Sequence, residues 1–138
     1  MQPGACSVAD ELGFPTETIP DADALFMRAH RMHFCGDVLK PGVFRNQQGS
    51  MSVNWNKYAS AQATKQQATK NPDMNAVISL IAGGIRKIDK LDVQHTPDPD
   101  NRAHSEVVLP INEQDLTEVR VLLLRLAIVV IPLAGQQS

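Results

Sequence analysis

The sequence predicts an α+β fold, and three observations carry that reading. "MSVNW" (51–55) alternates, with Met51, Val53 and Trp55 on one side and Ser52 and Asn54 on the other, which is a half-buried strand. "LDVQH" and "AHSEVVL" flank "TPDPDNR", whose prolines cannot donate to a ladder, so they predict a hairpin. From Asn112 the chain takes on helical spacing, with Leu116, Val119, Leu123, Leu126 and Val130 in one stripe. Nine prolines and eight glycines imply many element ends, which suits short mixed elements better than a helical bundle.

In chain order, residues 1–20 contain Pro3, Pro15 and Pro20 and read as a loosely structured arm, followed by a single domain over 21–134 and a tail over 135–138. "DADALFMRAHRMHF" (21–34) reads as a short helix capped by Asp21 or Asp23. "CGDVLKPGVFRNQQGS" reads as turns around an extended piece, and "SAQATKQQATKN" as an exposed helix or loop. "NAVISLIAGGIRKI" (75–88) begins as an apolar run and passes Gly83 and Gly84 into about one helical turn. Asn112 is the N-cap of the last helix, with Glu113 and Asp115 in its first turn. "AIVVIPL" is rich enough in β-branched residues to be a final strand or a continuation of that helix.

With 138 residues and 43% hydrophobic content, the chain can bury one core. Only six residues are aromatic, so aliphatic side chains must fill that core. The net charge of −2 conceals a pattern. Residues 1–24 carry Asp10, Glu11, Glu17, Asp21 and Asp23 and no Lys or Arg, whereas 25–90 hold ten basic residues against Asp37, Asp73 and Asp89. Residues 91–118 are acidic again, with Arg102 the one base. Self-neutralisation is the favoured reading, and a positive face for nucleic acid ranks behind it. Cys6 and Cys35 make no disulfide framework, which suits a reducing, cytoplasmic setting. The N-terminus lacks the features of a signal peptide, and the apolar run at 121–133, broken by Arg125, is too short to span a bilayer.

The pieces "LFMRAH", "VFR", "MSVNW", "GGIRKIDKLDVQHTP" and "DNRAHSEVV" resemble a family of small bacterial proteins of unknown activity. Their common order is Leu-Phe-x-Arg, a Ser-Val strand, Val-x-His-x-Pro and Asn-x-Ala-His, spread over Leu25 to Leu109. The resemblance implies a bacterial or mobile-element origin and a cytosolic α+β domain. It implies no mechanism.

Candidate chemistry begins with His95 and His104. Two imidazoles on one face would make an acid–base pair for phosphodiester cleavage, with Asn101 and Arg102 on the phosphate. Strand parity favours a plain hairpin instead: pairing Leu91 with Val107, Val93 with Ser105 and His95 with Ala103 puts the histidines on opposite faces. Asp98, Asp100, Asn101 and Arg102 at the tip are then the contact candidates. His30, His33 and Cys35 are close in sequence but lack a second ligand pair, so no metal site and no cofactor are expected. "AGGIRK" could turn backbone N–H groups toward an anion but matches no phosphate-loop pattern. The strongest functional feature is the apolar C-terminus. Leu122, Leu124, Ile128 and Ile131, with Val129, exceed what one helix can bury in a small domain. They point to a non-enzymatic, protein-binding or accessory subunit of a bacterial complex, with a protein or a second copy as partner and no membrane. The nuclease-like reading with His95 and His104 is the alternative.

Overall fold

The computed structural model describes residues 14–68 and 70–135. One six-stranded antiparallel sheet dominates it, and the α+β expectation holds. The strands are β1 (Ala24–His30), β4 (Ser50–Trp55), β5 (Asn75–Ile81), β6 (Asp92–His95), β7 (His104–Val108) and β8 (Ile128–Ile131), in the spatial order β6-β7-β4-β1-β5-β8. A short hairpin, β2 (Phe34–Cys35) and β3 (Val38–Leu39), stands apart. The helices are α1 (Ala61–Gln66), α2 (Ala82–Arg86) and α3 (Glu113–Leu126).

The segment 21–34 is not the expected helix. Leu25, Met27 and Ala29 are buried and alternate with Phe26, Arg28 and His30, which makes a strand period. The ladder to β5 runs its whole length, from Ala24↔Ile81 to His30↔Asn75. A central position between two strands overrides the local helix preference of Ala, Leu, Met and Arg. Asp23 serves the core rather than a cap: its Oδ2 accepts a 2.9 Å bond from Trp55 Nε1.

One sheet face carries the core. Leu25, Ala29, Met51, Val53, Trp55, Ile78, Leu80, Val93 and Val107 pack there with Ile19, Phe44, Ile85 and the buried stripe Leu116, Val119 and Leu123 of α3. Asn112 caps α3 by accepting from Asp115 N–H at 2.8 Å. The helix ends at Ala127, so the C-terminal element is a helix followed by a strand, β8, on β5. The other sheet face is covered over β1, β5 and β8 by α1, whose Thr64 is buried beneath Ser60, its N-cap.

The hairpin pairs Val93↔Val107 and His95↔Ser105, two residues away from the apolar match read from sequence. A shift of two keeps every side chain on its face. Leu91 is buried just before the ladder, with its N–H on Ile88 C=O, and the tip closes through an Asp98↔Asn101 bridge.

Candidate functional site

The two hairpin histidines serve different faces. His95 is 2% exposed on the core face. Its Nδ1 accepts from Glu17 N–H at 2.9 Å and its Nε2 donates to Arg102 C=O at 2.7 Å, which fixes the tautomer with the proton on Nε2. Its ring meets Trp55 edge-on at 5.0 Å and stacks on Tyr58 at 6.1 Å. His104 lies on the opposite face, with Nδ1 donating to Thr96 C=O at 2.8 Å and Nε2 accepting from Ser52 Oγ at 3.2 Å. The two imidazoles share no cleft.

The tip residues divide in the same way. Asp98 and Asp100 are exposed, whereas Asn101 donates inward to Asn54 Oδ1 at 3.0 Å. Arg102 folds back under the arm, its guanidinium 4.2 Å from the Tyr58 ring centre, 5.0 Å from that of Phe14 and 3.6 Å from Glu17 Oε2. Residues 14–20 carry no regular secondary structure but are firmly docked: Ile19 is 1% exposed, and Glu17 accepts from Lys57 at 2.7 Å and from the Tyr58 hydroxyl. Residues 1–13, including Cys6, lie outside the described residues.

The hydrogen bonds from Lys57 and Tyr58 hold the Glu17 carboxyl below its ordinary pKa of 4.5. A depressed folded-state value contributes stability that is present above the ordinary carboxylate range and is lost as pH falls through the folded value. Glu17→Gln removes that contribution. Below pH 4.5 the melting temperature of the native chain is therefore expected to fall more steeply than that of the variant. Parallel curves would show that the Glu17 contacts do not hold the arm.

A cleft that sequence reasoning missed opens in the middle of the sheet. β1 and β4 pair only at Leu25↔Trp55 and Phe26↔Asn54, although β1 pairs with β5 over its full length. Continuing that register would set Arg28 opposite Ser52. Instead these two residues and Met27 line both of two adjoining cavities. The smaller, of 230 Å³, is walled by Asn54, Thr64, Gln67, Asn101 and His104. The larger, of 370 Å³, is walled by His30, His33, Arg45, Gln47 and Asn75, over Met51 and Val43. Ala24 C=O accepts from Asn56 N–H, so by two-residue alternation the main-chain groups of Arg28 also face the opening. The Leu-Phe-x-Arg, Ser-Val and Asn-x-Ala-His pieces, far apart in sequence, meet here.

The cleft is cationic. Arg28 Nη1 donates to Thr64 C=O at 3.0 Å, and no carboxylate among the described residues pairs with Arg28 or Arg45. Self-neutralisation of the basic segment is only partial: Arg86 pairs with Asp21 at 2.7 Å, Lys57 with Glu17 at 2.7 Å and Lys90 with Asp115 at 3.6 Å, whereas among the described residues Arg31, Lys40, Lys65 and Lys87 also have no carboxylate within 4 Å. Burial lowers the Arg28 pKa, but guanidinium stays charged. Burial first, then the charges of Arg45, His30 and Lys40, lower the His33 pKa.

Two other sequence candidates find structural uses. The N–H groups of Ala82 and Gly83 donate to Asp23 C=O at 2.9 Å and Asp21 C=O at 2.8 Å, so both are used to hold the chain before β1. A Cβ on Gly83 would lie 2.9 Å from Asp21 Cβ, which explains the glycine. His30 Nδ1 accepts from Met32 N–H, Cys35 is exposed, and among the described residues no three His, Cys, Asp or Glu side chains gather as metal ligands.

The C-terminal candidates form an apolar edge. Ile128 is 61% exposed, Val129 41% and Val130 42%, whereas Leu122, also exposed, lies apart on α3 beside Ile88 and Lys90. Ile131 is half-buried, and Leu124 is half-buried against the core. Among the described residues no helix is long and apolar enough to cross a membrane. No family model matches the chain, and neither a curated protein nor a solved structure matches it significantly.

Proposed function

We propose that the protein is a non-enzymatic binding subunit of a bacterial, cytoplasmic assembly, joined to another chain through the outer edge of β8. The observation that supports this is the contrast between the two edges of the sheet. The β6 edge is managed: Asp92 and Gln94 point outward, Arg86 lies 3.8 Å from Asp92, and residues 16–19 line its flank. Among the described residues the β8 edge has no such protection. "IVVI" carries no charge, its faces are apolar, and among the described residues β5 is its one neighbour in the sheet.

Such an edge takes an added strand, and the strand whose chemistry matches β8 is β8 itself. Antiparallel pairing about a two-fold axis between Val129 and Val130 would set Ile128 against Ile131 of a second copy and oppose no charges. The interface would be isologous and would continue the sheet across both copies. The alternative reading, hydrolysis by His95 and His104, has no comparable support, because the rings lie on opposite faces.

The test is sedimentation equilibrium of the native chain beside Ile128→Asp and Val130→Lys. Ile128 is preferred to Leu124, whose partial burial would confound association with folding. The native chain is expected to dimerise, and each variant to raise the dimer Kd at least tenfold while keeping its circular dichroism. A native chain that stays monomeric up to about 1 mM would contradict the self-pairing.

A further inference from the structure

We propose that the opening between β1 and β4 binds a small molecule carrying a phosphate monoester, gripped by Arg28 and Arg45. Several bases lack a carboxylate partner, but Arg28 and Arg45 line one cavity together, and no Asp or Glu lines either cavity of the cleft. Two guanidiniums without carboxylate partners in one concave wall match a dianion, whose several oxygens accept parallel N–H bonds.

Geometry adds to this. The hydrogen bond to Thr64 C=O holds Arg28, which lines both cavities, and leaves its other N–H groups free to donate. The side-chain amides of Gln47 and Asn75 stand on the same wall. The break in the β1–β4 ladder leaves main-chain groups facing the opening, and such groups need partners.

The size of the site decides the class of ligand. Cavities of 370 and 230 Å³ suit a small organic molecule, with Met27, Met51 and Val43 under its apolar part. A nucleic-acid strand would instead need cations spread along a surface track. The site lies on β1 and β4, separated from β8 by β5, so it is independent of the proposed assembly surface.

Isothermal titration calorimetry of the full chain with inorganic phosphate and with phenyl phosphate tests the proposal. Both are expected to bind saturably at one site, phenyl phosphate more tightly. Arg28→Gln and Arg45→Gln should each weaken binding at least tenfold, while Lys87→Gln, on exposed chain after α2, should not change it. Arg45 is exposed, so its variant keeps the test valid should Arg28→Gln fail to fold. Absence of saturable heat, or full affinity in both arginine variants, would overturn the proposal. Equal affinity for succinate would overturn the phosphate assignment. Tighter, steeply salt-dependent binding of a single-stranded oligonucleotide would replace the small molecule with nucleic acid.

Discussion

Trp55→Ala is expected to be the most destabilising single change in this protein, at about 3–5 kcal/mol. Trp55 is 1% exposed at the end of β4, where it joins three parts of the chain. Its Nε1–H reaches Asp23 Oδ2 at 2.9 Å, its ring meets Tyr58 edge-on at 5.4 Å and His95 at 5.0 Å, and Lys57 Nζ lies 5.3 Å above it. Alanine would leave a cavity that strands fixed by ladders on both sides cannot close. A domain of this size holds about 5–15 kcal/mol in total, so the loss is a large fraction of it. Urea unfolding should show a much lower midpoint with an unchanged slope. Trp55→Phe keeps most of the apolar area and loses the indole bond, so it should cost about 1–2 kcal/mol. Equal midpoints for the alanine variant and the native chain would place the core elsewhere.

The second large effect separates the hairpin histidines. His95→Ala is expected to cost about 3 kcal/mol, because it strands two buried main-chain groups, Glu17 N–H and Arg102 C=O, and empties the space beside Trp55. His104→Ala is expected to cost about 1 kcal/mol, because its side chain is 20% exposed and water can reach its partners. Urea denaturation of the two variants checks this asymmetry. Equal, small losses would mean that His95 does not tie the arm to the hairpin.

Much of the fold was legible in local pattern. The alternation of Met51, Val53 and Trp55, the proline-marked hairpin and the Asn112 cap each follow from chemistry within a few residues. Strand parity also separated His95 from His104 correctly, although the register was two residues off, since parity depends on period and register on how the tip closes. Ala24–His30 was misread because its alternation is masked: Arg28 and His30 lie opposite Met27 and Ala29, but Phe26 is apolar too, and strong helix formers surround them. What gave it strand structure was pairing with β5, which local sequence does not reveal.

The cleft was illegible for a related reason. It arises because two strands pair at one end only, and no local pattern encodes where a ladder stops. The charge census came closest, since it found the basic middle segment, but it could not say that Arg28 and Arg45 would meet in one cavity. The apolar C-terminus was legible as excess hydrophobicity, whereas its division into a buried helical stripe and an exposed edge strand required the sheet order.

The central claim is that the outer edge of β8 joins a second copy. Hydrogen–deuterium exchange of its backbone amides, read at several protein concentrations, tests it most directly. The β8 amides not paired with β5 are expected to gain protection as concentration rises, while those of β6 do not change. Fast exchange of the β8 edge at every concentration would contradict it.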